Sequence, residues 1–220
     1  MTTPKNRLLF ILATTVILLA GCATATPRDD FSHEGLEPGS LRGLDEVWVR
    51  PGSNFTDYRN LLIEPVEVAF DPHWDPRRTG SRLRLREADR ERIREDAAEL
   101  FDRTFRREIE RSERFELVDA PGENTLIFQP RIVDLFINAP NDQLAVGRTR
   151  TFVSEFGRVT LIGELRDAES GAIVARIADR EVARATRDLE FTDRLTNERE
   201  GRRIVSRWAR TLVGGLDQLD

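Results

Sequence analysis

The sequence predicts a mixed α+β fold: a two-layer sandwich in which a mostly antiparallel sheet of about five to six strands is covered on one face by two amphipathic helices. Three observations carry that reading. Two long segments repeat apolar residues at three and four positions, several shorter runs are β-prone with apolar alternation, and one pair of such runs is joined by a turn ending in glycine.

In chain order, Val47-Trp48-Val49-Arg50 reads as a short strand stopped by Pro51-Gly52. Leu61 to Phe70 is stronger, alternating from Glu64 so that Val66, Val68 and Phe70 share a face. Pro65 has no N–H to give a ladder, so the strand must be an edge there or carry a bulge. Asp71-Pro72 and Asp75-Pro76 end it. A helix is predicted from about Glu87 to Arg111, because Ile93, Ala97, Leu100, Phe101, Phe105 and Ile109 form one stripe. On its exposed face Glu99 with Arg103, and Asp102 with Arg106, have the spacing of stabilising ion pairs.

Phe115 to Val118 is a short strand before the turn Asp119-Ala120-Pro121-Gly122. Thr125 to Ile137 is a long β-prone run interrupted by Pro130, after which a loop opens at Ala139. Arg158 to Arg166 and Ala172 to Ala183 make the clearest hairpin, joined by Asp167-Ala168-Glu169-Ser170-Gly171, whose glycine supplies the left-handed residue such loops need. Val159, Leu161 and Leu165 share one face, with Gly163 between them. The last helix, from about Thr196 to Leu219, carries Ile204, Val205, Trp208, Leu212, Leu216 and Leu219 on one stripe. Gly214-Gly215 weakens its final turns by roughly 1 kcal/mol per glycine.

The N-terminus has a different character. Lys5 and Arg7 precede an uncharged apolar run over residues 8–20, too short to cross a ~30 Å hydrocarbon core as a helix. This is the pattern of a secretory signal. Its exit, Leu19-Ala20-Gly21-Cys22, resembles the lipobox of bacterial lipoproteins, which implies cleavage before Cys22 and three acyl chains on it. Two or more chains hold a protein stably at a membrane, each buried methylene contributing about 0.8 kcal/mol. Ala23 follows the cysteine where an Asp favours inner-membrane retention, so the resemblance implies the periplasmic leaflet of the outer membrane. The organisation is therefore a signal at 1–21, a lipidated cysteine with a flexible tether at 22–40, and one globular domain at 41–220. Pro27, Gly35, Pro38 and Gly39 break the tether, which as a coil spans on the order of 25 Å.

Composition narrows the function classes. Cys22 is the only cysteine, so no intrachain disulfide can form and apolar burial carries the stability. Loss of Lys5 and Arg7 leaves 32 basic residues, all arginine, against 39 acidic ones, a net charge of −7. A net acidic body argues against nucleic acid as a partner. The local run Arg77, Arg78, Arg82, Arg84 and Arg86 breaks that average and could meet a phosphate or an acidic partner, or be a solvated loop.

Nucleophile-and-base catalysis needs a matched set, and the chain offers two histidines, one tyrosine and no spare thiol. His33 lies in the tether. Asp71-Pro72-His73-Trp74-Asp75 gathers two carboxylates and an imidazole that could ligate a metal if the loop curled. The bland alternative is a turn capped by Asp71 and Asp75 with Trp74 at the core edge. No phosphate-binding glycine loop or zinc spacing occurs, so neither cofactor nor enzymatic activity is expected.

The stretch Tyr58-Arg59-Asn60-Leu61-Leu62-Ile63-Glu64-Pro65-Val66-Glu67-Val68 resembles a known family. So do Arg114-Phe115-Glu116-Leu117-Val118-Asp119 with Pro121-Gly122, and Gly163-Glu164-Leu165-Arg166-Asp167-Ala168 with Ser170-Gly171. With the lipobox upstream, the chain is similar over nearly its whole mature length to bacterial lipoproteins of domain of unknown function 3313. Those motifs are strand and turn signatures and carry no catalytic residues across.

The expectation is a membrane-anchored, non-catalytic binding or scaffolding domain for another envelope protein. Trp48, Phe55, Tyr58, Trp74 and Arg77 are its candidate contacts, since aromatic residues and Arg dominate interface energetics. The alternatives are carriage or assembly of a lipid or other hydrophobic ligand in a sheet–helix groove, and a hydrolase built on clustered acids such as Asp71 and Asp75.

Overall fold

The computed structural model describes residues 35–75, 86–137, 152–153, 155–184, 190–191 and 194–219. Cys22, His33, Arg77 and the basic run from Arg77 to Arg84 lie outside them. The strands are β1 (Glu37–Gly39), β2 (Glu46–Val49), β3 (Asn60–Ile63), β4 (Glu67–Phe70), β5 (Glu116–Leu117), β6 (Thr125–Ile137), β7 (Phe152–Val153), β8 (Glu155–Asp167), β9 (Ile173–Arg184) and β10 (Glu190–Phe191). Helix α1 (Glu87–Ser112) separates β4 from β5, and α2 (Arg194–Gly215) ends in a 3-10 turn at Leu216–Gln218. A further 3-10 turn at Phe55–Asp57 precedes β3.

Eight strands form one open sheet in the order β1-β2-β9-β8-β6-β3-β5, with β4 also beside β6. The expected five to six strands thus become eight. Strand formation reaches back into the segment read as tether, since Glu37 pairs with Val49 and Gly39 with Val47. The run from Leu61 to Phe70 is two strands rather than one, because β3 stops before Pro65 and β4 starts after it. β7 and β10 make a separate two-stranded ladder.

The sheet is mixed. β1–β2, β2–β9, β6–β8 and β8–β9 are antiparallel, whereas β3–β5, β3–β6 and β4–β6 are parallel. The reason is the α1 crossover, which carries the chain back along its length before β5 and β6 begin, as parallel neighbours require. Pro130 does not interrupt β6. The Phe128 carbonyl accepts from Glu64 N–H at 2.9 Å. Strand residues two apart face the same flank, so the missing N–H of Pro130 points where β3 has ended and β4 has not begun.

The core lies between one sheet face and both helices. Phe128, Leu165 and Ala175 stand opposite one another across β6, β8 and β9, and all three are fully buried. Phe105 of α1 stacks on Phe128 with ring centroids 5.1 Å apart, and on Phe101 at 5.0 Å. From α2, Ile204, Val205, Trp208, Leu212 and Leu216 enter the same core. The predicted pairs on α1 form as read, Arg103 to Glu99 at 2.8 Å and Arg106 to Asp102 at 2.7 Å. In the hairpin, Gly171 adopts φ +70°.

Gly163 sits on the buried face because no side chain fits there. A Cβ at this position would lie 2.5 Å from Phe128 Cε2 and 2.8 Å from Ile177 Cγ1. Overpacking of this kind costs about 1 to 3 kcal/mol. Gly163→Val is accordingly expected to lower the unfolding free energy by that amount, seen by circular dichroism as a lower urea midpoint with little change in slope; a wild-type midpoint would mean that Phe128 and Ile177 move aside freely.

Candidate functional site

The two ends of the sandwich differ, and the difference locates the site. At one end α1, α2 and the start of β3 are tied together. The helix stops at Ser112, Glu113 takes the left-handed conformation at φ 57°, and Arg114 turns back over the Phe115 ring at 4.3 Å. Its guanidinium donates to the carbonyls of Tyr58 at 2.7 Å and Phe55 at 2.9 Å, and to Asp217 after α2. Beside it the Tyr58 hydroxyl donates to Asp167 Oδ2 at 3.2 Å. Burial and the neighbouring Asp167 charge push the Tyr58 phenol up to about 12. Burial pushes Asp167 upward as well, but hydrogen bonds from the Ser170 hydroxyl and backbone, and from Tyr58, outweigh it and hold the carboxyl below its usual range.

Midway along the sheet a carboxylate is buried on the core face. Asp179 of β9 is 4% exposed and accepts from Trp208 Nε1 at 2.7 Å and Arg207 at 2.6 Å. This fixes the rotation of α2 against the sheet, since an indole N–H buried without a partner costs about 1 to 3 kcal/mol.

At the other end the layers part. β6 carries a bulge between Val133 and Phe136, with Asp134 at φ 54° accepting from Thr160 Oγ1 at 3.3 Å. A bulge bends its strand and increases its twist. Beyond it opens a cleft of about 440 Å³ between sheet and helices. Its floor is Ile132, Leu135 and Val159, its helical walls are Ile93 and Ala97 on one side and Ile204 on the other, and Trp208 closes the back. The helices meet above it at Gly201, where a Cβ would lie 2.8 Å from Leu100 Cδ2, so a larger residue there requires Leu100 to shift.

The loop after β4 braces the floor. Trp74 is 3% exposed, stacks on Phe70 at 4.3 Å and donates from Nε1 to the Ile137 carbonyl at 3.0 Å. Arg90 of α1 lies 5.3 Å from the Trp74 ring centroid. Asp71 accepts from His73 N–H at 2.7 Å and from Arg158 at 3.0 Å. The His73 backbone bond and the Arg158 guanidinium hold its carboxyl below the usual range. The turn anticipated as the alternative to a metal centre is therefore built around Asp71, while the His73 residue is exposed. Among the described residues no group of three His, Cys, Asp or Glu side chains converges as a metal site.

The aromatic candidates separate. Phe55 is fully buried and Trp74 nearly so, which removes both as contacts. Tyr58 is half-buried and engaged with Asp167. Trp48 is half-buried on the outer sheet face opposite Arg176. That face carries a hydrogen-bonded row in which Gln129 donates to Glu64 at 2.8 Å, Arg166 to Gln129 at 3.2 Å, and Arg176 to Glu164 at 2.8 Å. The row satisfies its own polar groups and reads as structure.

The sequence offers a sheet–helix groove only as an alternative and does not give its lining: Ile93 and Ala97 fall on the α1 stripe, Val159 on one strand face, and Leu135 is not singled out. The available signal is that the α1 stripe begins more than two turns before its fully buried part, which starts at Phe101.

An open sheet with two helices on one face and an apolar cleft at one end defines a mixed α+β domain. The profile of the family described as "Protein of unknown function (DUF3313)" matches residues 29–212, and the chain belongs to that family. No curated protein matches. The chain is similar to protein XCC0632 from Xanthomonas campestris, assigned to DUF330, with 13% identity over 76% of this chain and 87% of that one, at a TM-score of 0.42. It is also similar to a PelC dodecamer from Paraburkholderia phytofirmans, with 10% identity over 79% and 92% of the two chains, at a TM-score of 0.32. Among the described residues no helix is long and apolar enough to cross a membrane.

Two predictions test the closed end and the buried carboxylate. Tyr58 is the only tyrosine, so phenolate absorbance reports on it alone. The native protein should titrate near about 12, while the urea-unfolded chain titrates near the ordinary value of about 10. Because the folded value is the higher, this contribution to stability is complete below the unfolded value and is lost as pH rises toward the folded one. Asp179→Ala should cost about 1 to 3 kcal/mol in urea unfolding by stranding the Trp208 indole N–H; a smaller loss than Trp208→Phe produces would show that another acceptor takes over.

Proposed function

We propose that this chain is a lipoprotein anchored through Cys22 in the periplasmic leaflet of the outer membrane, whose domain is a non-catalytic binding or scaffolding module for another envelope component. The observation that supports binding is the cleft. Its volume of about 440 Å³ falls within the range of ligand-holding sites, and its walls are chiefly apolar. The clustered acids that a hydrolase would need are engaged locally: Asp71 holds a turn and Arg158. A second reading, carriage of a lipid or other hydrophobic ligand, is favoured by the same apolar walls, since a filled interlayer space would have left such a ligand no room.

In-cell crosslinking with affinity capture and mass spectrometry separates the two, comparing the wild type with Cys22→Ala exported by an ordinary signal. The expected outcome is one dominant protein partner whose capture falls several-fold without the anchor. Recovery of a stoichiometric lipid and no protein would replace scaffolding with carriage. Equal capture from both forms would leave the anchor without a part in partner selection.

A further inference from the structure

We propose that the cleft receives an apolar segment of a partner protein that also carries Arg or Lys, its apolar side chains lying between sheet and helices and its cations on the carboxylates at the mouth. This rests on the binding reading above and names the site and partner chemistry that reading leaves open.

The interior and the mouth of the cleft are chemically distinct. Inside, Ile132, Leu135, Ile204, Val205 and Trp208 present apolar surface and are each less than a tenth exposed. Farther out, Ile93, Ala97 and Val159 are half-buried, so water covers apolar surface that an occupant could dry. Around this surface stand four carboxylates, Asp96, Glu99, Glu198 and Glu200, against two guanidiniums, Arg103 and Arg158.

Both guanidiniums already have a carboxylate partner, although the buried Arg158 Nε makes no hydrogen bond among the described residues. Arg103 is held by Glu99 at 2.8 Å, and Arg158 by Asp71 at 3.0 Å while lying 4.1 Å over the Phe136 ring. Glu198 and Glu200 pair with Arg202 at 2.7 Å and Arg203 at 2.8 Å, neither of which lines the cleft. Asp96 is exposed and has no ion-pair partner among the described residues. Glu200 is mostly covered, but an exposed pair such as Glu198 with Arg202 contributes at most about 1 kcal/mol, so an incoming cation can exchange into it at small cost.

A fatty acid or acidic phospholipid would bring its anionic head to an acidic mouth. A segment with apolar residues on one side and Arg or Lys beside them meets the opposite field, which accelerates encounter and fixes register. Laying an apolar face into a groove is an established way for proteins to take up a peptide.

The test uses the full chain carrying Cys22→Ala, so that no bilayer competes for the probe. The probes are a short fluorescent peptide of leucine and lysine and its leucine–glutamate counterpart, read by anisotropy. The lysine peptide should bind at least about tenfold more tightly. Asp96→Lys with Glu198→Lys, both at the surface, should abolish or reverse that preference, and Val159→Trp should weaken both peptides by filling the cleft.

Equal affinity for the two peptides, or indifference to charge reversal in a folded variant, overturns the proposal. So does tighter binding of phosphatidylglycerol vesicles than of the lysine peptide, which would assign the cleft to lipid. A dimer in sedimentation that Val159→Trp disperses overturns it in favour of a second copy. In each case a partner captured in cells regardless of the cleft variants keeps the binding reading and moves it to another face, whereas absence of any captured partner removes that reading too.

Discussion

The Arg114 guanidinium is where three stretches of chain far apart in sequence meet. It reaches the carbonyls of Phe55 and Tyr58 before β3, the Asp217 carboxylate after α2, and the ring of Phe115 at the end of α1. Hydrogen bonds from a charged donor are roughly twice as strong as neutral ones, and Arg can direct several at once from a rigid plane. Both helices are thereby fixed at the same end of the sheet. Toward the other end the helices still meet, at Gly201 and Leu100, and it is the sheet, bulged in β6, from which they part. The cleft lies at the end away from this pin.

The same frame occupies most of the polar side chains that the sequence made conspicuous. The groups best able to act on a substrate are used in holding the frame: Tyr58 and Asp167 at the closed end, Asp179 beneath Trp208, and Asp71 under Arg158. What faces the cleft is aliphatic surface with carboxylates around it. Such a surface gains free energy by excluding water and discriminates through charge at its margin.

Much of the fold is legible in the sequence because it is local. The stripes of α1 and α2 follow from spacing, and the β8–β9 hairpin follows from alternation and the left-handed glycine at 171. The sheet is mostly antiparallel, as its sequence leads one to expect; the short parallel pairings of β3 and β4 with β6 go unspecified, although a strand, a helix and a further strand in succession carry the information that the chain returns in the same direction. β1 escaped notice because three residues containing Pro38 and Gly39 have no period to detect. The cleft was legible only in part. Asp71 and Trp74 were singled out from their chemistry and do lie at that end, but as braces for its floor. Where the layers separate depends on Asp134 in a left-handed conformation and on the helix contact at Gly201 and Leu100. Those are non-local facts that composition and periodicity do not encode.

The position of β1 has a mechanical consequence. The described chain begins at Gly35 with Leu36 buried, and Glu37 then lies opposite Val49, which is beside Ala175 near the Arg114 end of the sheet. Seven residues of β8, from Leu165 to Arg158, separate that end from the cleft, roughly 23 Å at the rise of a strand. A pull from that side meets buried Leu36 and then a three-residue strand held by a single neighbour. Parting β1 from β2 breaks one short ladder and touches none of the pairing among β6, β8 and β9, as a wall can shed its outermost course and stand.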